Sequence, residues 1–156
     1  MGRIDYLDDP NAPAPNSLVP SVNVVAVNKG GGILMICRTD NDNWALPGGA
    51  IDLGETVREA GIRETREETG IDVEITGLVG IYTNPRHLIE YTSNGEVRQE
   101  FSIVLMAVPI GGQPTMSSES SQVAWIDPGN LDELHIHPSM RTRLTHFLTS
   151  DDPHID

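Results

Sequence analysis

A mixed β-sheet covered by helices, in the α/β (α+β) class, is predicted by three observations. Short, β-branched apolar runs recur between residues 21 and 126. Two longer stretches, 56–69 and 138–149, carry helical spacing and helical end signals. The two kinds of segment interleave along the chain, a pattern that layered sheet-and-helix domains share. With 156 residues the chain suits one domain with a real core.

Residues 1–20, with Pro10, Pro13, Pro15 and Pro20, read as an extended arm, either loose or laid across the surface. The domain proper is expected over residues 21–150, with 151–156 as a C-terminal tail. Runs 21–28 and 33–38 flank Lys29-Gly30-Gly31-Gly32, which reads as a β-hairpin. A polar, glycine-rich stretch over 39–54 leads into the first helix. Residues 72–82 and 97–108 read as strands, separated by a polar loop that contains Asn84-Pro85-Arg86-His87. A short strand is expected over 122–126. The final helix places Met140, Leu144, Phe147 and Leu148 on one stripe.

A net charge of −13 argues against stable nucleic-acid binding through phosphates. It would also repel an anionic small molecule, unless a bound divalent cation reversed the field locally. The longest apolar runs are too short to cross a bilayer. No basic segment followed by an apolar stretch opens the chain, so a cytoplasmic protein is expected. The single cysteine, Cys37, excludes an internal disulfide and a cysteine-based zinc site.

The chemistry concentrates in residues 49–71, GAIDLGETVREAGIRETREETGI. Thr56 and Glu59 form a capping box, and Gly70 is placed to end the helix in a left-handed C-cap. Between these ends Glu64, Glu67 and Glu68 fall on one face, within an arc of about 100°. Like charges so spaced repel by about 0.2–0.5 kcal/mol per pair. The helix dipole near its C-terminus disfavours each by a further 0.3–1 kcal/mol or so. Arg63 and Arg66 offset part of this, although neither is expected to point along the centre of the acidic face. Val57, Ala60 and Gly61 continue that face and turn it inward. Carboxylates turned inward need cations, and an all-oxygen donor set suits Mg²⁺ or Mn²⁺. An acidic helix face that is merely solvated is the bland alternative.

The stretch resembles the Nudix box, G-x5-E-x7-R-E-U-x-E-E-x-G-U, where U is a bulky apolar residue. Gly49, Glu55, Arg63, Glu64, Glu67, Glu68, Gly70 and Ile71 fill its positions at the right spacing, and Trp44-Ala-Leu-Pro-Gly-Gly49 matches the usual entry to it. Thr65 departs from the pattern, standing where an aliphatic residue is usual; slightly weaker packing and intact chemistry are expected. The resemblance implies an α/β/α sandwich with a mixed central sheet. It implies Glu64, Glu67 and Glu68 as metal ligands, joined by the carbonyl of Gly49. Arg63 would orient a glutamate through a charge-assisted hydrogen bond, and Glu55 would support the same network. Gly48 and Gly49 lack side chains, which lets backbone approach an ion and a diphosphate. The proton of the attacking water would go to Glu64 or to a glutamate outside the box.

Outside the box, Glu100 is read either as an extra ligand or base from its strand, or as an exposed edge residue. Glu119 is read as a solvated loop residue or as a loop base. Arg38 would hold a phosphate or form a surface ion pair. Trp44 would stack on a base or pack the glycine loop onto the sheet. Arg86 and His87 lie in a loop with reach toward a substrate. His135 and His137 are read as structural, with Pro138 in the first turn of the last helix. Cys37 is read as a small buried residue.

The expected function is metal-dependent hydrolysis of a diphosphate linkage in a small nucleoside diphosphate derivative. An ADP-ribose or nucleotide-sugar type is favoured, because Pro85 lies about as far beyond the box as a proline of ADP-ribose-cleaving relatives. A nucleoside triphosphate pyrophosphohydrolase is the rival, and a nucleotide sensor without turnover is the reading from another class. The resemblance also points to a homodimer.

Overall fold

The computed structural model describes residues 2–156; Met1, the first residue of the expected arm, lies outside the described residues. Ten strands and two α-helices follow in the order β1 (Arg3–Leu7), β2 (Ser17–Ala26), β3 (Ile33–Arg38), β4 (Trp44–Ala45), β5 (Gly48–Ala50), α1 (Val57–Thr69), β6 (Ile71–Tyr82), β7 (His87–Tyr91), β8 (Glu96–Gly112), β9 (Ser120–Ile126), α2 (Pro138–Thr149) and β10 (His154–Ile155). A 3-10 helix over Pro128–Glu133 precedes α2.

β8 organises the larger sheet. β2 runs parallel along one of its edges, while β7 and β6 pair antiparallel with successive parts of the other. β1 extends the sheet beyond β7, β5 beyond β2, and β10 beyond β6. A smaller antiparallel sheet has the order β4-β3-β9. The sheet is mixed and helix-covered, as the sequence predicts.

Alternation along β2 makes the layers. Val22, Val24 and Ala26 enter one apolar cluster with Ala60 of α1, and Val25 enters another with Leu144 of α2. Side chains alternate between the two faces of a strand, so one β2 run serves both cores. Met140 and Phe147 pack on the second cluster, whereas Leu148 is left outside, 46% exposed.

Four expectations change. The runs around Lys29–Gly32 do not form a hairpin: Asn28 and Gly32 close a turn bridged only at Val27 and Ile33, and the strands enter different sheets. β8 takes one edge of β2 along its whole length, and on the other edge β5 pairs with Ser21 to Asn23 and Pro47 O accepts from Val24 N, while β3 pairs with β4 and β9. The segment expected as an arm supplies β1, paired with β7 from Arg3 to Leu7, and the first four residues of β2, Ser17 to Pro20. The C-terminal stretch carries β10, and Asp156 Oδ2 accepts the backbone N–H of Thr83 (2.8 Å) and of Asn84 (3.1 Å). β7 itself begins at His87, inside what reads as the end of a polar loop.

Candidate active site

α1 starts and stops where its sequence says it should. Thr56 accepts from Glu59 N at 3.1 Å, and Glu59 returns a bond to Thr56 N at 3.1 Å. Gly70 ends the helix at φ 75°, donating to Arg66 O at 2.9 Å. A Cβ there would also lie 2.5 Å from Gln113 O, so a larger residue is excluded twice over. Ala60, Gly61, Thr65, Glu68 and Thr69 form the buried face of the helix. Thr65 fills the departing position fully buried, with its hydroxyl donating to Gly61 O at 2.7 Å. That bond satisfies the polar atom that an aliphatic residue would not have brought.

The three box glutamates occupy three environments. Glu68 is 3% exposed and accepts the N–H of Gly48 at 2.8 Å. Glu64 is partly buried against Gly49, where a Cβ would lie 2.6 Å from its Oε1. Glu67 is 59% exposed at the rim. Burial is the largest influence on Glu68; with the Glu64 and Glu119 charges it pushes the carboxyl up to about 8, against the Gly48 N–H and Arg38. Burial raises Glu64 as well, opposed by its hydrogen bond and charge contact with Arg63.

Arg63 is the hub of this network. It forks onto Glu55 through Nε and Nη2, and its Nη1 reaches Glu64 at 2.9 Å and Glu67 at 3.2 Å. Its Nη2 also donates to Ala50 O at 3.2 Å. The expectation that Arg63 stands aside from the acidic face is therefore corrected: a planar fork reaches around the helix to carboxylates on both sides. Glu55 is anchored in turn by the Asp52 N–H at 2.9 Å, and Arg63 holds its carboxyl below the usual range.

β5 presents Gly48 and Gly49 to both the glutamates and a cleft. A Cβ on Gly48 would lie 2.0 Å from Val22 O, so the close approach of β5 to β2 requires glycine there. The cleft, a cavity of about 140 Å³, runs from Gly48, Gly49 and Ala50 to His137, Ser139 and Arg143 at the start of α2. Arg38, Trp44 and Glu100 also line it. Arg38 is forked onto Asp40 at 2.7 and 3.0 Å, and that pairing raises its pKa. Trp44 packs against the second core and also lines the cleft.

Glu100 is 8% exposed, accepts from Ser21 Oγ at 3.0 Å, and sits on the central strand β8; the exposed-edge reading is overturned. Glu119 is exposed, close enough to Glu68 to act on its carboxyl. Arg86 is not brought to the cleft: it is exposed and paired with Asp8 at 2.9 Å, because β1 draws the loop before β7 toward the N-terminal segment. Pro85 lies in the same loop, outside the cleft. His135 lends its carbonyl to Trp44 N at 2.9 Å, and His137 caps α2 by accepting from Ser139 N at 3.2 Å. Cys37 is buried in β3. Asp5, His87 and Arg143 line the cleft together, and no local signal groups them, since β1, β7 and α2 meet there only through long-range pairing.

The donor set suits a hard cation: three carboxylates and a carbonyl on a strand stripped of side chains. Glu68 supports the fit, as a buried carboxylate that accepts the Gly48 N–H and has like charges, Glu64 and Glu119, around it. In the arrangement described, Glu67 is turned to Arg63, and among the described residues no three acidic, histidine or cysteine side chains converge on one point.

The NUDIX domain family matches residues 17–147. The chain belongs to the Nudix family. A MutT-like protein of Streptomyces ambofaciens is 36% identical over 151 residues, which are 96% of this chain and 90% of that protein. An ADP-ribose pyrophosphatase of Methanocaldococcus jannaschii is 36% identical over 121 residues, covering 75% of this chain and 68% of its own. Among solved structures, a MutT Nudix hydrolase from Burkholderia pseudomallei superposes with a TM-score of 0.67 at 25% identity, covering 84% of this chain and 98% of that one. The chain is thus a Nudix hydrolase, an enzyme acting on phosphorus-containing acid anhydrides of small nucleotide-like substrates. Divalent cations are in general use across this family. No helix of the described residues is long and apolar enough to cross a membrane.

Proposed function

We propose that this Nudix hydrolase cleaves the diphosphate linkage of a nucleoside diphosphate derivative of ADP-ribose or nucleotide-sugar type. Water adds across the P–O–P bridge and two phosphorylated products leave. The carrying observation is the buried Glu68 carboxylate, set with Glu64 against the bare glycine strand at the end of the cleft. The likeness to an ADP-ribose pyrophosphatase supports the substrate type.

Glu64, Glu67, Glu68 and the Gly49 carbonyl would hold Mg²⁺ or Mn²⁺. The ion supplies charge neutralisation for the diphosphate and a lowered pKa for attacking water. Arg63 is the positioning residue: it holds Glu64 and Glu67 while Glu55 holds it. Arg38 would contact phosphate oxygens, and the bare backbone of Gly48 would let them approach, at the same end of the cleft. Glu64 or Glu100 would take the water's proton, and Glu119, beside Glu68, is the loop alternative.

One substrate panel tests the reading: ADP-ribose, nucleotide sugars, dinucleoside polyphosphates and nucleoside triphosphates, each with Mg²⁺, Mn²⁺ or EDTA. Metal-dependent release of a nucleoside monophosphate from ADP-ribose or a nucleotide sugar is expected. Turnover confined to triphosphates would move the assignment to a triphosphate pyrophosphohydrolase. Binding without turnover in any arm would leave a nucleotide sensor.

A further inference from the structure

Arg143 is the only arginine among the buried charged residues, 4% exposed on the inner face of α2. Its Nη1 donates to Asn23 Oδ1 at 2.6 Å, its one hydrogen bond among the described residues, and its Nε is buried without a partner. Its positive charge lies over the Tyr82 ring at 5.2 Å, and Glu100 and Asp156 act on it through space. Burying a guanidinium this way is costly unless something completes its hydrogen bonding. The proposed chemistry at β5 makes no use of it.

Its position is informative. Arg143 stands in the wall between the cleft and a second cavity of about 180 Å³, sharing that wall with His87, Glu100 and Ser139. Asn23, which holds Arg143, lies opposite Gly48 in the β2–β5 register. Arg143 is therefore one side chain removed from the glycines where the diphosphate is placed, on the α2 wall of the same cleft.

The surroundings decide what kind of group it would meet. Asp5 and Glu100, both largely buried, line the cleft with it. Burial works to raise the Asp5 carboxyl, but His87 and Arg3 outweigh it and hold the group ionised, well below the usual range. Arg3, Arg38 and Arg98 line the cleft too, but each is already paired with a carboxylate, Asp5 at 3.1 Å, Asp40 at 2.7 Å and Glu96 at 3.0 Å. A second phosphate would therefore have to share Arg143 with buried Glu100, whereas a neutral acceptor would face no such repulsion. The cleft walls also carry flat rings: Trp44, Tyr91, and His87 stacked on His137 with centroids 5.8 Å apart. Aromatic walls with an arginine at one end suit a nucleobase, whose faces stack and whose edge offers ring nitrogen or carbonyl acceptors.

We propose that Arg143 is a specificity-determining residue, donating a hydrogen bond to an acceptor atom on the substrate's nucleobase at the α2 end of the cleft. This rests on the reading of the substrate as a nucleotide derivative. It does not rest on turnover, and the test uses binding alone. Calorimetry would compare AMP, GMP and ribose 5-phosphate on the full chain and on Arg143→Met. The wild type should bind at least one nucleoside monophosphate about tenfold or more tighter than ribose 5-phosphate, and the variant should lose that preference while ribose 5-phosphate binding stays nearly unchanged. Equal affinity of the wild type for all three ligands overturns the proposal. So does a preference that survives in Arg143→Met, or an equal loss for ribose 5-phosphate, which would make Arg143 a phosphate contact. Should the variant fail to fold, the wild type is titrated with analogues of the preferred monophosphate that lack one base acceptor each. At least one should bind about tenfold weaker, and no loss with any of them refutes the assignment. A chain that shows base-dependent binding but cleaves nothing would end the hydrolase reading and leave this one standing.

Discussion

Glu68 carries two opposed demands. Its burial favours the protonated form, whereas the proposed role as ligand to a divalent cation would require the ionised one. Because its folded pKa, about 8, stands above the ordinary value of 4.5, the metal-free native state binds more protons than the unfolded chain between those limits. Stability from this group is present below pH 4.5 and declines as pH rises toward 8. Metal-free protein should therefore melt at progressively lower temperature from pH 5 to 8, and Glu68→Gln should flatten that slope while lowering hydrolysis by two orders of magnitude or more, as removal of one charge-stabilising group does at about that scale. A variant with wild-type turnover and an unchanged pH slope would take Glu68 out of the site. Arg63 makes the complementary prediction. Arg63→Met frees Glu55, Glu64 and Glu67 together, and should cost about tenfold or more in kcat; Arg63→Lys should restore little, since a point charge cannot reproduce the fork.

At the scale of elements, α1 is specified locally and placed remotely. Its caps are readable from Thr56, Glu59 and Gly70, and the helix runs between them as read. Thr56→Ala should cost about 1 kcal/mol in denaturant unfolding, the usual value of a lost N-cap. Gly70→Ala should cost more, about 2 kcal/mol, because φ 75° strains any residue with a Cβ and Gln113 O blocks the atom itself. A Gly70→Ala variant as stable as the parent would mean the C-cap relaxes without penalty. The strands behave differently. The sequence suggests β3 as the partner of β2, yet hydrophobic runs record only that a strand is buried, and leave open which edge it meets. β7 is not legible in the sequence because its first residues, His87 to Ile89, follow a turn-like Asn-Pro-Arg and become buried only through pairing with β1 and β8.

For the whole molecule, a net charge of −13 would repel the proposed diphosphate substrate unless a cation lay between them. Binding to the native state alone stabilises by mass action: at a hundred times its Kd, an ion adds about 2.7 kcal/mol, or roughly 5–10 °C in Tm for a chain of this size. Differential scanning calorimetry with Mg²⁺ or Mn²⁺ should show that rise in the parent and lose it in a Glu64→Gln, Glu68→Gln double variant. An equal rise in both would place the cation elsewhere on this acidic surface. The cleft is likewise a property of the whole: β1, β5, β7, β8 and the start of α2 each contribute a wall.

The sequence alone determined the family chemistry and the helix that bears it, because capping, helical spacing and the Gly49–Ile71 pattern act over a few residues and need no partner. Tertiary structure decided which glutamate is buried, that Arg63 gathers Glu55, Glu64 and Glu67, and that Arg86 turns away while Glu100 turns in. It also decided that Arg143 closes the cleft, 120 residues along the chain from the Asn23 that holds it. Burial and strand pairing are long-range quantities. They depend on which edges are already taken, and no local pattern of residues encodes that.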